Sequence, residues 1–201
     1  MKKAALAISI IVLALLFSAR WATMAVNGRP QSSMRTGPNT SLVNDLSVED
    51  MVHESDLIAI GSCVGTKSVW VGRSLMTLAT VSVGETLKGP EQNEIAVAMP
   101  GGIDANRDVP IAMTYAGAPR MTPGEDVLLF LKAGGSVAGS YTIAGLSQGK
   151  FSIVKDEDGR EIVTRDLTKT MLRTNNGLHR GSNNITSLSS LKAEIKAHLH
   201  Q

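Results

Sequence analysis

The groups in this 201-residue chain that could do chemistry are few: one cysteine, four histidines, one acidic cluster and a few glycine-containing turns. A reactive thiol needs a cation or a helix N-terminus beside it to lower its pKa. Cys63 lies instead mid-strand among small residues, in Gly61-Ser62-Cys63-Val64-Gly65. It is expected to be a packed, inert thiol, and a thiol-dependent enzyme using Cys63 is the alternative reading. His53, His179, His198 and His200 contain no pair at the spacing by which two histidines on one helix turn grip zinc. Asp156-Glu157-Asp158-Gly159 begins like a calcium loop, but Arg160 follows and the later ligands are missing, so it predicts a tight hairpin tip. Pro100-Gly101-Gly102 has no following lysine or helix start and predicts a turn, not a phosphate cradle. Ser147-Gln148-Gly149 falls in a hairpin and is not read as a nucleophile elbow, whose flanking glycine pattern it is taken to lack. The residues therefore predict no catalytic group, no metal and no cofactor.

The side chains that point to binding gather around Trp70. Val69, Trp70 and Val71 place three consecutive apolar residues in the connection Ser68–Ser74, which a solvent loop would not ordinarily carry. Two readings stay open for Trp70. It either plugs the end of the fold or anchors a contact, as tryptophan does at binding hot spots. With Arg73 in the same connection, and Tyr115 in the long irregular segment Ile103–Pro123, these residues form the expected partner-binding surface: Val69, Trp70, Val71, Arg73 and Tyr115.

Such a surface needs a scaffold, and the scaffold is organised by Leu75–Pro90. Leu75, Thr77, Ala79, Val81, Val83 and Leu87 recur at the period of two that a half-buried strand requires, and Gly84 predicts a bulge. Strands are also expected at Leu57–Lys67, Ile95–Met99, Tyr141–Ala144, Phe151–Val154 and Glu161–Thr164. Val127-Leu128-Leu129-Phe130-Leu131 is apolar without alternation, which predicts a strand buried on both faces. Ser47 and Asp50 predict a capped short helix carrying Val48, Met51 and Val52 on one face. Ser187 starts a second helix, with Leu188, Leu191, Ile195 and either Leu199 or His198 as its stripe. Residues 171–184 read as polar and loose. The fold class expected is mainly β: a small OB-like closed or partly open β-barrel with a short N-terminal helix and a C-terminal helix.

The address is read from the beginning of the chain. Met1-Lys2-Lys3 precedes an apolar run from Ala4 to Phe17, and Arg20 ends it too early for a membrane span. Residues 1–25 are expected to be a signal peptide, cleaved after Ala25 or kept as an uncleaved anchor. That anchor would be the chain's one membrane contact. Residues 26–46 are expected to be a flexible linker and 47–200 a single domain, exported to the periplasm, cell envelope or medium. Without residues 1–25 the chain holds seventeen basic and eighteen acidic residues, a net charge of −1 against +2 for the whole. That balance, with Trp70, Tyr115, Phe130, Tyr141 and Phe151 as the remaining aromatics, gives no footing for nucleic acid.

Ser55-Asp56-Leu57-Ile58-Ala59-Ile60-Gly61, Thr80–Val83, Leu87-Lys88-Gly89-Pro90, the run Gly124–Leu131 and Gly145–Phe151 follow one another in an order that resembles a family of uncharacterised bacterial exported domains. Residues 55–90 are also similar to the netrin-like module of tissue inhibitors of metalloproteinases and complement proteins. The resemblance spans about residues 47–165 and implies an OB-type barrel. Inhibitors of that type reach a protease zinc through an N-terminal cysteine, which has no counterpart near Val26. The expectation is a non-enzymatic exported module that binds a protein or peptide partner, with modulation or inhibition of an exported protease as the alternative.

Overall fold

Ser47 and Asp50 cap each other: the Ser47 N–H donates to Asp50 Oδ2 at 2.9 Å, and the Asp50 N–H donates to Ser47 Oγ at 3.0 Å. This reciprocal box starts helix α1 (Val48–Glu54), which buries Met51 and Val52 as its periodicity requires. The computed structural model describes residues 40–200, all within one compact unit. The expected signal segment 1–25, and the expected linker as far as residue 39, lie outside the described residues.

The protein is mainly β. The described strands are β1 (Ser41–Asn44), β2 (Leu57–Val71), β3 (Ser74–Lys88), β4 (Glu94–Pro100), β5 (Gly102–Asp104), β6 (Ile111–Met113), β7 (Asp126–Lys132), β8 (Thr142–Ile143), β9 (Lys150–Lys155), β10 (Glu161–Asp166), β11 (Thr170–Thr174), β12 (Gly177–Arg180) and β13 (Asn183–Ser187), followed by α2 (Leu188–Leu199). The main sheet runs β13-β10-β9-β7-β2-β3-β4, with β8 added on β7. A second sheet runs β1-β11-β12, and β5 pairs with β6 alone. The main sheet's ladders form an open path and do not close into a barrel.

The two longest strands, β2 and β3, carry the architecture, and their register slips at three places. Glu85 faces Ile60 and Val83 faces Gly61, so Gly84 is the extra residue of a bulge, as its place in the sequence predicts. Leu87 and Val64 are passed over in the same way. Each extra residue turns the following side chains to the other face. Ala79, Val81 and Val83 therefore join the core on one side of the sheet, whereas Leu87 packs into the core on the other. Gly61 is required here, because a Cβ at that position would collide with the Ser82 carbonyl.

Strand β7 is buried on both faces, as its unbroken apolar run predicts. Val127, Leu129 and Leu131 point into the first core, and Leu128 and Phe130 into the second. The second core is closed by α1 and α2, with Leu188, Leu191 and Ile195 buried and Leu199 packed at its margin. Phe130 is fully buried, its ring 5.9 Å from that of Phe151. The first core is closed by Met99, Met121 and Ile143.

Three expected irregular stretches are strands. The expected linker ends early, because Ser41–Asn44 pairs in parallel with Thr170–Arg173, a partner too distant for any local pattern to announce. Residues 171–184 are not loose. Met171–Thr174 pairs with Gly177–Arg180 across an Asn175-Asn176 turn, and Asn183–Ser187 pairs with β10. Strands β12 and β13 are polar because they lie exposed at sheet edges, whereas β11 lies between β1 and β12 and buries Leu172. The connection Ser68–Ser74 is also no loop: β2 runs to Val71 and turns at Gly72-Arg73, where Gly72 has φ +58°.

Candidate functional site: a methionine-lined cleft and its polar neighbour

The long hairpin fixes the direction of each predicted site residue. Ser68 lies opposite Thr77 and Trp70 opposite Leu75, whereas Val69 lies opposite Met76 and Val71 opposite Ser74. Opposed residues share a face and successive ones do not. Trp70 therefore points to one side of the hairpin, and Val69 and Val71 to the other. Arg73 stands exposed at the turn. The expected three-residue apolar tip is divided by the strand it belongs to.

On the Trp70 side, β5 and β6 fold back over the hairpin. The Gly101 N–H donates to the Leu75 carbonyl at 2.9 Å, Thr77 Oγ1 to the Gly101 carbonyl at 2.8 Å, and the Ile103 N–H to Ser68 Oγ at 2.9 Å. Gly101, at φ +96°, lies so close to the Met113 carbonyl that a Cβ would fall 2.8 Å from it. Pro100-Gly101-Gly102 is thus the turn expected, and it makes this close crossing possible. Trp70 fastens the far end: its Nε1–H donates to Asp104 Oδ2 at 2.8 Å, and the Arg107 guanidinium lies 5.2 Å from its ring centroid while Nε bonds the same oxygen at 2.8 Å. The bond from Trp70, and next that from Arg107, hold the Asp104 carboxyl below the ordinary aspartate range. Trp70 remains 37% exposed, so it is a latch on the rim and not a buried plug.

Beneath this flap is a cavity of about 530 Å³. Met99, Met113, Met121, Pro100 and Tyr115 give it apolar walls, with Thr66 and Ser68 at the hairpin and Arg120 at its edge. Lys67 and Ser68, at the start of one expected stretch, and Ile103 with the parts 112–115 and 118–122 of the other border it. Of the predicted contact residues, Tyr115 lines the cavity, Trp70 latches its flap, and Val69, Val71 and Arg73 stand away from it. The methionines were missed. Met113 and Met121 sit in a polar segment with no periodicity, and only the fold brings them beside Met99.

A second, polar cavity of about 330 Å³ lies across residues 114–120, between them and β9 and β10. Lys150, paired with Glu125, and Ser152, whose Oγ donates to Glu125 at 2.6 Å, form one side. Burial pushes the Glu125 carboxyl up, but hydrogen bonds from Lys150, Ser152 and the Thr122 N–H outweigh it and hold the group below its ordinary range. Ser147 also lines this cavity, on a turn where Leu146 has φ +66°. Gly145 and Gly149 do flank Ser147 at the G-x-S-x-G spacing, but the turn leads from β8 into β9 and no helix follows. The turn is clamped by fully buried Gln148, which accepts from the Leu46 N–H at 2.9 Å and donates to the Asn44 carbonyl at 2.7 Å.

Cys63 is buried in the first core, and burial pushes its thiol pKa up. That is the environment of an unreactive thiol. Among the described residues no cluster of three or more His, Cys, Asp or Glu could hold a metal ion. Among them, too, no helix is long and apolar enough to cross a membrane. No family model matches the chain, and no curated protein matches it.

Proposed function

We propose that this chain is an exported, non-enzymatic binding module whose methionine-lined cleft receives an apolar side chain from a peptide or protein partner. One observation carries the reading: Lys67 and Ser68 from the first stretch singled out in the sequence, and Met113, Tyr115 and Met121 from the second, line one concave and mostly apolar cavity of about 530 Å³. That size lies in the range of ligand sites, which are mostly apolar with a few polar groups to fix orientation. Methionine side chains adapt to varied apolar shapes, which suits a peptide side chain. Of the bonds that join the flap to the hairpin, those of Trp70 with Asp104 and of Ser68 with Ile103 are exposed, and those at Gly101 and Met113 are partly buried.

Export is part of the same proposal and rests on Lys2, Lys3 and the apolar run Ala4–Phe17. A partly open, OB-like barrel is its structural counterpart. The support is that Tyr141, next to β8, meets β4: the Ala98 N–H donates to the Tyr141 carbonyl and the Tyr141 N–H to the Ala96 carbonyl, each at 2.8 Å. The curl of β7, β2, β3 and β4 thus comes within one bridge of closing.

The test is to select peptides on the full-length chain from a random library and to measure their affinity for Thr66→Trp, a substitution at an exposed position that lines the cleft on the hairpin face of Ser68 and Thr77. The expected outcome is peptides with a shared apolar anchor that lose at least about tenfold in affinity, the size of a burial term of ~1.4 kcal/mol. Selected peptides that bind Thr66→Trp as well as the parent chain contradict the reading.

A further inference from the structure

We propose that the polar cavity beside the cleft is a monocarboxylate site, which holds the C-terminal carboxylate of the peptide whose apolar side chain enters the methionine-lined cleft; this rests on the preceding functional reading. Three observations converge on it. First, Ser147 is 8% exposed and its Oγ has no hydrogen-bond partner, although it lines the cavity. Its turn is clamped by Gln148, so the hydroxyl is held in place without a protein group to bond. A buried hydroxyl left unpaired is costly; its Oγ is closed to solvent as the cavity stands, so a ligand oxygen would pair with it once the adjoining wall shifts.

Second, the charges leave an anion to be supplied. Lys150 is consumed by Glu125, and Asp166 already accepts from the Thr168 N–H at 2.9 Å and from Thr168 Oγ1 at 2.7 Å. Arg120 and Lys169 line the cavity, and neither takes part in an ion pair among the described residues. Two free cations against the one carboxylate of Asp166 leave a single positive charge. That matches a monoanion better than a phosphate, whose second charge would meet Asp166. Arginine is also suited to the planar fork of a carboxylate.

Third, the two cavities share a wall. Residues Thr114, Tyr115, Ala118, Pro119 and Arg120 line both, so Arg120 stands at the edge of the apolar cleft and of the polar site. A terminal residue lying across this wall would put its side chain among the methionines and its carboxylate between Arg120, Lys169 and Ser147.

The experiment titrates the isotope-labelled full-length chain with N-acetyl-leucine, N-acetyl-leucinamide and inorganic phosphate at neutral pH, following backbone amides by NMR. The carboxylate is expected to shift Arg120, Ser147 and Lys169 together with Met113 and Met121, and to bind at least about tenfold more tightly than the amide, as a charge-assisted hydrogen bond predicts. Arg120→Gln and Lys169→Gln change exposed side chains, so their melting temperatures should hold while the preference for carboxylate falls. Ser147→Ala should melt no lower than the parent and bind the carboxylate more weakly. Equal binding of acid and amide, with shifts confined to the methionine-lined cleft, overturns the carboxylate site and leaves the binding function standing. Saturable binding of the carboxylate at Ser147 and Lys169 alone supports the anion site and removes the apolar cleft from it. Tighter binding of phosphate than of the carboxylate, or no binding of any of the three, overturns the proposal.

Discussion

Trp70 touches the carboxylate of Asp104 and the guanidinium of Arg107, and both contacts are open to solvent. Because the folded pKa of Asp104 is depressed, the latch contributes its stability above the ordinary aspartate pKa. That contribution is lost as pH falls through the lower folded value. Indole emission of the full-length chain, corrected with a Trp70→Phe variant for Trp21, should therefore change in a step below the usual aspartate range and vanish in Asp104→Asn. A flat response down to the onset of global unfolding would deny the latch. Gln148 is the contrasting case, fully buried and bonded on both ends of its amide. Gln148→Leu leaves the Leu46 N–H and the Asn44 carbonyl without partners, and should cost ~1–3 kcal/mol for each group that water does not reach, read from denaturant titration. Cys63, sealed in the first core, should react with iodoacetamide at neutral pH only after the chain is unfolded.

At the scale of elements, the bulged hairpin of β2 and β3 serves both cores. Gly61→Ala drives a methyl group into the Ser82 carbonyl, and the strands must part or shift. A loss of ~1–3 kcal/mol is expected, and a neutral result would mean that the crossing is looser than described. Phe130→Ala empties the centre of the second core and should cost ~3–5 kcal/mol, since its ring is fully buried under both helices. Phe130 was legible in the sequence from an apolar run without alternation, and the Gly84 bulge from the break in a period-two pattern, but the need for glycine at 61 was not. Both helices were legible too, from Ser47 with Asp50 and from the spacing of Leu188, Leu191 and Ile195. What escaped was everything whose meaning lies in a distant partner. Ser41–Asn44 becomes a strand only through Thr170–Arg173. Gly177–Arg180 is exposed along its whole length and carries no alternation to find. The turn at Gly72-Arg73 was read only as part of a loop, because the apolar residues before it suggested a loop tip. Continuing the period of two through Val71 would have divided Trp70 from its neighbours.

For the whole molecule, one face of the main sheet is covered by helices, and the other curls over a core that opens at the end of the hairpin into the methionine-lined cleft. The Glu125 network sits where that curled half meets β9. Its depressed pKa stabilises the fold above the ordinary glutamate value, and the contribution fades as pH falls through the lower folded value. Melting temperature should therefore decline on acidification, and Glu125→Gln should flatten part of that decline. The location of the site was half legible: the sequence pointed to Ile103–Pro123 and to the hairpin opposite, but Met99, Met113 and Met121 meet only because β5 and β6 fold back across β3. On the proposed function, this cleft is where a partner binds. The most direct measurement is the pattern of backbone amide shifts when a peptide selected on the full-length chain is added to it. Shifts centred on Ser68, Gly101, Met113 and Met121 are predicted. Shifts confined to the helices, or to the exposed strands β12 and β13, would contradict it.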